Sequence, residues 1–141
     1  MDYVTAIDIS AAGMAAQKAR LEAAALNLAN MNTSAPPGAA GYRPVQAVIR
    51  AATPFAAALH GRTALPLARA ELVPQSAAAP RLAYEPGHPD ADADGMVAYP
   101  AVDHTAEMMT VITATRAYEA NLAALQATRT LAAKALEIGG Q

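Results

Sequence analysis

Apolar positions recur in alternating steps of three and four through both ends of the chain and lose that period in between. In the N-terminal stretch this spacing picks out Val4, Ile7, Ala11, Met14, Lys18, Leu21, Ala25 and Leu28. The result is a seam of nearly four heptads, weakened by Lys18 and two alanines. Gly13 sits inside it at a cost of about 1 kcal/mol relative to alanine. The pattern predicts a helix that ends near Asn30 to Asn32, ahead of Thr33-Ser34-Ala35-Pro36-Pro37-Gly38. At the other end Met108, Val111, Thr115, Tyr118, Leu122, Leu125, Arg129, Ala132 and Leu136 form a similar stripe, widened at its start by Met109 and Ile112. Asp103 or Thr105 is placed to cap this second helix, and Gly139-Gly140 to end it. Two long arms with matching seams are expected to pair as an antiparallel, coiled-coil-like hairpin.

Proline marks the boundary between arms and middle. All ten prolines lie between Pro36 and Pro100, and a proline costs a helix interior about 3 kcal/mol. The chain therefore divides into an N-terminal helix (residues 1–33), an insert (34–100) and a C-terminal helix (101–141). Within the insert, strand-like stretches are predicted at Tyr42–Ile49, Ala70–Val73, Arg81–Glu85 and Met96–Tyr99, with a turn at Pro86-Gly87-His88-Pro89. Residues 51–79, rich in Ala and Pro, are expected to be loose. The fold class is thus mainly α, with a small irregular or β-rich insert between the helices.

Composition then narrows what such a hairpin is for. The hydrophobic fraction of the 141 residues is 54%, yet 40 residues are alanine and only Phe55 and five tyrosines are aromatic. Alanine favours helix but buries little area, so thin, closely packed helices are expected rather than a thick core. A net charge of −2 argues against nucleic acid as a partner, because phosphate neutralisation needs clustered Lys and Arg. Apolar runs fall short of the roughly 18 residues of a transmembrane segment. Met1 is followed by Asp2 and Asp8 rather than a basic stretch and an apolar core, so no cleaved secretory signal is expected. With no cysteine there is neither a disulfide framework nor a thiolate ligand.

Candidate chemistry is sparse. Asp90-Ala91-Asp92-Ala93-Asp94-Gly95 has the spacing of the first half of a calcium loop. Ala101 occupies the position where a bidentate Glu is needed, which favours a solvated turn. His60, His88 and His104 lack metal-ligand spacing, and none of Ser10, Ser34 and Ser76 stands in a nucleophile motif. His88 and Asp90 could meet as a base and its orienter, but no nucleophile lies near them in the sequence. No catalytic residue, cofactor, metal site or small-molecule substrate is therefore assigned. Asn27-Leu28-Ala29-Asn30-Met31-Asn32 is unusual for a helix, since asparagine lowers helix propensity. The three amides are either solvated caps or bonds to the returning arm or to neighbouring chains.

Asn27-Leu28-Ala29-Asn30 followed by Asn32-Thr33 resembles the N-terminal signature of bacterial flagellar rod and hook proteins. Ile7-Asp8-Ile9-Ser10 with Gly13-Met14, Tyr84-Glu85-Pro86-Gly87-His88-Pro89, Tyr99-Pro100 with Val102-Asp103, Glu107-Met108 and Arg116-Ala117-Tyr118-Glu119-Ala120-Asn121 narrow the resemblance to the proximal-rod FlgC family. Leu136-Glu137-Ile138-Gly139 ends the chain in the same style. The sequence departs from that pattern at Glu22, Leu26, Met96 and Ala101, and residues 51–79 have no clear counterpart. The resemblance implies a structural subunit of the basal-body rod whose terminal helices build the axial tube that carries motor torque. It also implies export through the flagellar type III system and a final place in the periplasmic rod. Implied partners are other rod subunits, neighbouring copies and the export apparatus. Assembly is then expected to use the seam residues Val4, Ile7, Met14, Leu21, Leu28, Met108, Val111, Tyr118, Leu122, Leu125 and Leu136. The motif residues Asn27, Asn30, Asn32, Arg116 and Asn121 join them. The alternatives are a cytoplasmic helical-hairpin adaptor or export chaperone, and a calcium-binding regulator resting on Asp90, Asp92 and Asp94.

Overall fold

The computed structural model describes residues 3–52, 67–76 and 79–139. Helix α1 runs Tyr3–Asn30, and helix α2 runs His104–Gly139. Between them lie two separate two-stranded antiparallel sheets, β1 (Val45–Ala52) with β2 (Leu67–Pro74), and β3 (Arg81–Tyr84) with β4 (Met96–Tyr99). The mainly α hairpin with a small β insert is the observed fold. Asp103 is the cap of α2: its Oδ1 accepts from the Thr105 N–H at 2.8 Å and the Ala106 N–H at 3.2 Å.

The helices are antiparallel. Gly13 of α1 lies against Asn121 of α2, and Asn27 meets Glu107, so moving up α1 moves down α2 by an equal number of residues. Extending that register places Tyr3 near Leu131, and α2 continues beyond the start of α1. Leu131 and Leu136 in and beyond that last stretch are 58% and 78% exposed.

The seams are rotated by about one residue from the predicted ones. Val4, Ala11, Lys18 and Ala25 are exposed, while Ile7, Met14, Leu21 and Leu28 are only half-buried. The buried line of α1 instead runs through Ser10, Ala24 and Asn27, with Ala16 and Ala23 on an adjoining side. On α2 the line runs through Glu107, Thr110, Ala114, Ala117, Asn121 and Leu125; Met108, Thr115, Tyr118, Leu122, Arg129 and Leu136 face outward. The physical reason is helix separation. Small residues allow backbones to approach closely, and at Gly13 the packing leaves no room for a side chain, since a Cβ would stand 2.9 Å from Asn121 Oδ1. The glycine read above as a propensity defect makes room for an amide.

The core is correspondingly thin. Among the described residues the buried apolar side chains are Ala16, Ala23, Ala24, Val97, Ala98, Ala114 and Leu125. Only Val97 and Leu125 are larger than alanine, so each contributes about 1.5–3 kcal/mol where an alanine gives far less.

The β1–β2 hairpin packs against α1. Pairing begins at Val45 rather than Tyr42 because Pro44 has no N–H to give, although its carbonyl accepts from Gln75 N at 2.8 Å. Of the stretch 51–79 expected to be loose, Ala51 and Ala52 extend β1 and residues 67–74 form β2, which takes in the strand expected at Ala70–Val73 and pairs along its whole length with β1. Residues 53–66 and 77–78 of that stretch, with Phe55 and His60, lie outside the described residues. In the other sheet β4 also bridges Ala35, tying the segment after α1 to the strand that leads into α2.

Candidate functional site

Asn27 occupies the junction of α1, the entry to β1 and the first turn of α2. It is 1% exposed. Its Oδ1 accepts from the Val45 N–H at 2.8 Å and the Tyr42 hydroxyl at 2.9 Å. Its Nδ2 donates to the Val45 carbonyl at 2.8 Å and to Glu107 Oε1 at 2.7 Å. An amide offers two donors and two acceptor sites, and all four are used here. The bond to the Glu107 carboxylate is charge-assisted and short. Of the two open readings of the asparagine cluster, Asn27 follows the one that bonds to the returning arm. Its neighbours do not. Asn30 donates to Leu26 O within its own helix at 2.8 Å, and Asn32 is exposed.

The phenol of Tyr42 is raised above its ordinary value, first by burial and second by the negative charge of Glu107. The neutral, donating form is therefore favoured at the junction. Tyr42, Val45 and Glu107 were not singled out as site residues from the sequence. The signal available was Glu107 itself, an acid at the start of an apolar stripe, 80 residues from its amide partner.

Asn121 donates to Ala117 O at 2.9 Å and fills the space over Gly13. Leu125 is buried, Val111 is half-buried, and Arg116 is exposed. Large apolar side chains remain outside the pair: Val4 at 69% exposure, with Ile9, Leu26, Met108, Met109, Ile112, Tyr118, Leu122, Leu131 and Leu136. Of the residues expected to carry assembly, the structure gathers Asn27, Asn121 and Leu125 into the intramolecular seam. It leaves Val4, Asn32, Met108, Arg116, Tyr118, Leu122 and Leu136 on the surface.

The acidic motif forms the end of the β3–β4 hairpin. Asp92 Oδ1 accepts from the N–H groups of Asp94 at 3.0 Å and Met96 at 2.8 Å. Gly95 takes φ +74 and lies so close to Tyr84 and Pro86 that a Cβ would collide. Asp90 accepts from Ser34 Oγ at 2.6 Å, and His88 Nδ1 accepts from the Asp90 N–H at 3.1 Å. Asp90 and Asp92 are thus engaged in fixing the turn, and no acidic or histidine cluster of metal-binding geometry occurs among the described residues. No described helix is long and apolar enough to cross a membrane.

The chain is similar in sequence to known proteins. The family described as "Flagellar basal body rod FlgEFG protein C-terminal" matches residues 93–138, from the edge of β4 through α2. The flagellar basal-body rod protein FlgC of Salmonella typhimurium is 35% identical over 139 residues, 99% of each chain. FlgC of Bacillus subtilis is 32% identical over 143 residues, covering 94% of this chain and 95% of the relative. FlgC of Aquifex aeolicus is 34% identical over 140 residues, 97% of each. The similarity covers nearly the full length of this chain and of each relative, and the chain belongs to the FlgC family of flagellar basal-body rod proteins.

Proposed function

We propose that this structural rod subunit self- and co-assembles through the outward faces of its two terminal helices into the helical shaft that transmits motor torque. One observation carries the reading. The helices meet largely through small and polar residues and leave many of their large apolar ones exposed. Contacts with neighbours would bury that surface at about 25 cal/mol per Å². Subunits repeated by rotation and translation meet through heterologous contacts, so each chain needs several such faces. The overhanging end of α2 would find its cover on a neighbour in the same way.

The thin core also suits travel. A chain held by alanines, Val97 and Leu125 unfolds at little cost, which favours passage through the type III export apparatus. The destination would be the periplasmic part of the rod, reached without a cleaved signal. Membership in a structural family speaks for a non-catalytic role. Mass spectrometry of detergent-extracted hook–basal bodies tests the reading: the chain should copurify with the other rod proteins. Recovery only from the cytoplasm would favour an adaptor or export chaperone instead.

A further inference from the structure

Both edges of β4 are occupied, but only one edge of β3 is. On the side of β4 away from β3, Ala98 exchanges backbone bonds with Ala35 at 2.9 and 3.0 Å. Met96 is held there too: its N–H donates to Asp92 Oδ1 at 2.8 Å, and its carbonyl accepts from the Asp92 N–H at 2.9 Å. The pairs that bond across the hairpin are therefore Arg81–Tyr99 and Ala83–Val97, followed by Glu85 N–H to Gly95 O at 2.8 Å. Backbone groups alternate in direction along a strand, so Leu82 and Tyr84 aim their N–H and C=O groups at the outer edge. Among the described residues nothing bonds them there, and β3 packs on no element but β4. Their side chains are 51% and 70% exposed.

An open edge is a template for another strand. Its sequence selects which one. Arg81-Leu82-Ala83-Tyr84-Glu85 reads basic, apolar, small, apolar, acidic, an order complementary to its own reverse. Two copies laid antiparallel about Ala83 set each Arg81 opposite a Glu85 and each Leu82 opposite a Tyr84. Opposite charges and apolar pairs in those positions stabilise a sheet. Arg81 and Glu85 are both exposed, on the face of β3 that Tyr99 also occupies. The same alignment brings the outward N–H and C=O groups of Leu82 and Tyr84 together as hydrogen-bonded pairs. A slip of two residues sets Pro80 opposite Tyr84 or Pro86 opposite Leu82, and a proline has no N–H to give, so the register is locked.

We infer that the outer edge of β3 pairs with the outer edge of β3 in a second copy, antiparallel and centred on Ala83. The two hairpins then form one four-stranded sheet, β4–β3 of one copy continuing into β3–β4 of the other. A two-stranded hairpin is marginal by itself, and added strands stabilise it. The contact uses the same patch on both copies and is two-fold. It cannot repeat along a shaft whose subunits all point one way, so the dimer is a state of the free chain. The pairing stands independently of the assembly reading above.

The chain has no native cysteine, so mild oxidation of purified full-length variants reads the register directly. In the dimer Ala83 faces its own counterpart with Cα atoms about 4.5 Å apart, within disulfide range. The two Leu82 Cα atoms stand roughly 8 Å apart, beyond it. Ala83→Cys should therefore give several-fold more disulfide dimer than Leu82→Cys. Adding Arg81→Glu to the Ala83→Cys chain sets Glu opposite Glu85, and adding Glu85→Arg instead sets Arg opposite Arg81. Each change alone should remove the excess. Mixing the two chains sets every Glu opposite an Arg and should restore it, which also shows that both variants still fold. Equal cross-linking at positions 82 and 83, charge changes without effect, or loss that mixing does not rescue would each overturn the pairing.

Discussion

Replacing Asn27 with alanine removes four hydrogen bonds at one buried point: two to Val45, one to Tyr42 and one to Glu107. A neutral hydrogen bond contributes about 1 kcal/mol net and one to a charged group about 1.5–3, so the gross loss is about 5 kcal/mol. Val45, Tyr42 and Glu107 are only half-buried, and water entering the vacated space recovers part of it. The expected loss is about 3 kcal/mol, a large share of the roughly 5–15 kcal/mol that folded domains possess. Urea denaturation of the full chain followed by helical circular dichroism measures it. Asn27→Asp sharpens the test because it keeps the shape and both acceptor sites but sets a second carboxylate beside Glu107. Repulsion raises the pKa of that carboxylate pair in the fold, and a raised folded pKa contributes stability present at low pH and lost as pH rises. The Asp variant should therefore be weak at neutral pH and recover through the carboxylate range. A loss below about 1 kcal/mol for Asn27→Ala, with an Asp variant indifferent to pH, would refute the reasoning.

Gly13→Ala should destabilise the wild-type helix pair by about 1 kcal/mol, because the new Cβ displaces Asn121 from Ala117 O. In an Asn121→Ala background the same change should stabilise by about 1 kcal/mol through helix propensity, and thermal melts of the four chains read this reversal of sign. The raised phenol of Tyr42 favours its neutral form; stability from it is complete below the ordinary pKa of about 10 and lost as pH climbs through the raised value. Tyr42→Phe should cost about 1 kcal/mol at neutral pH and flatten that alkaline loss in urea titrations. Asp92→Ala should loosen the β3–β4 turn by about 1 kcal/mol, since two backbone N–H groups lose their acceptor. Calorimetric titration of the wild-type chain with millimolar calcium should show no binding heat.

The proline distribution made the division into arms and insert legible, and the helix ends and four strands follow from local signals that tertiary packing left unopposed. The seam did not follow. Heptad spacing follows the large apolar residues, and in this chain most of those, Leu125 excepted, lie beside or outside the pair while Ser10, Gly13, Ala24, Ala114, Ala117 and Asn121 lie within it. Size is a guide to burial only where a chain satisfies its own core. The Asn27 junction was half legible: the asparagines stood out, but their different fates depend on the long-range approach of Val45 and Glu107. In the segment 67–74 only Ala70–Val73 carries a local strand signal; its alanines and Pro74 lower strand propensity on either side, and pairing with β1 over the whole strand overrides that preference.

The central claim is that apolar side chains left outside the helix pair are contacts with neighbouring subunits, and incorporation of a full-length Met108→Glu/Ile112→Lys chain tests it most directly. Both positions are exposed, and a Glu–Lys pair four residues apart supports a helix by about 0.2–0.5 kcal/mol. The free variant should keep wild-type helical circular dichroism yet be lost from purified hook–basal bodies, with swimming abolished. Wild-type levels of the variant in basal bodies, with normal swimming, would contradict the account.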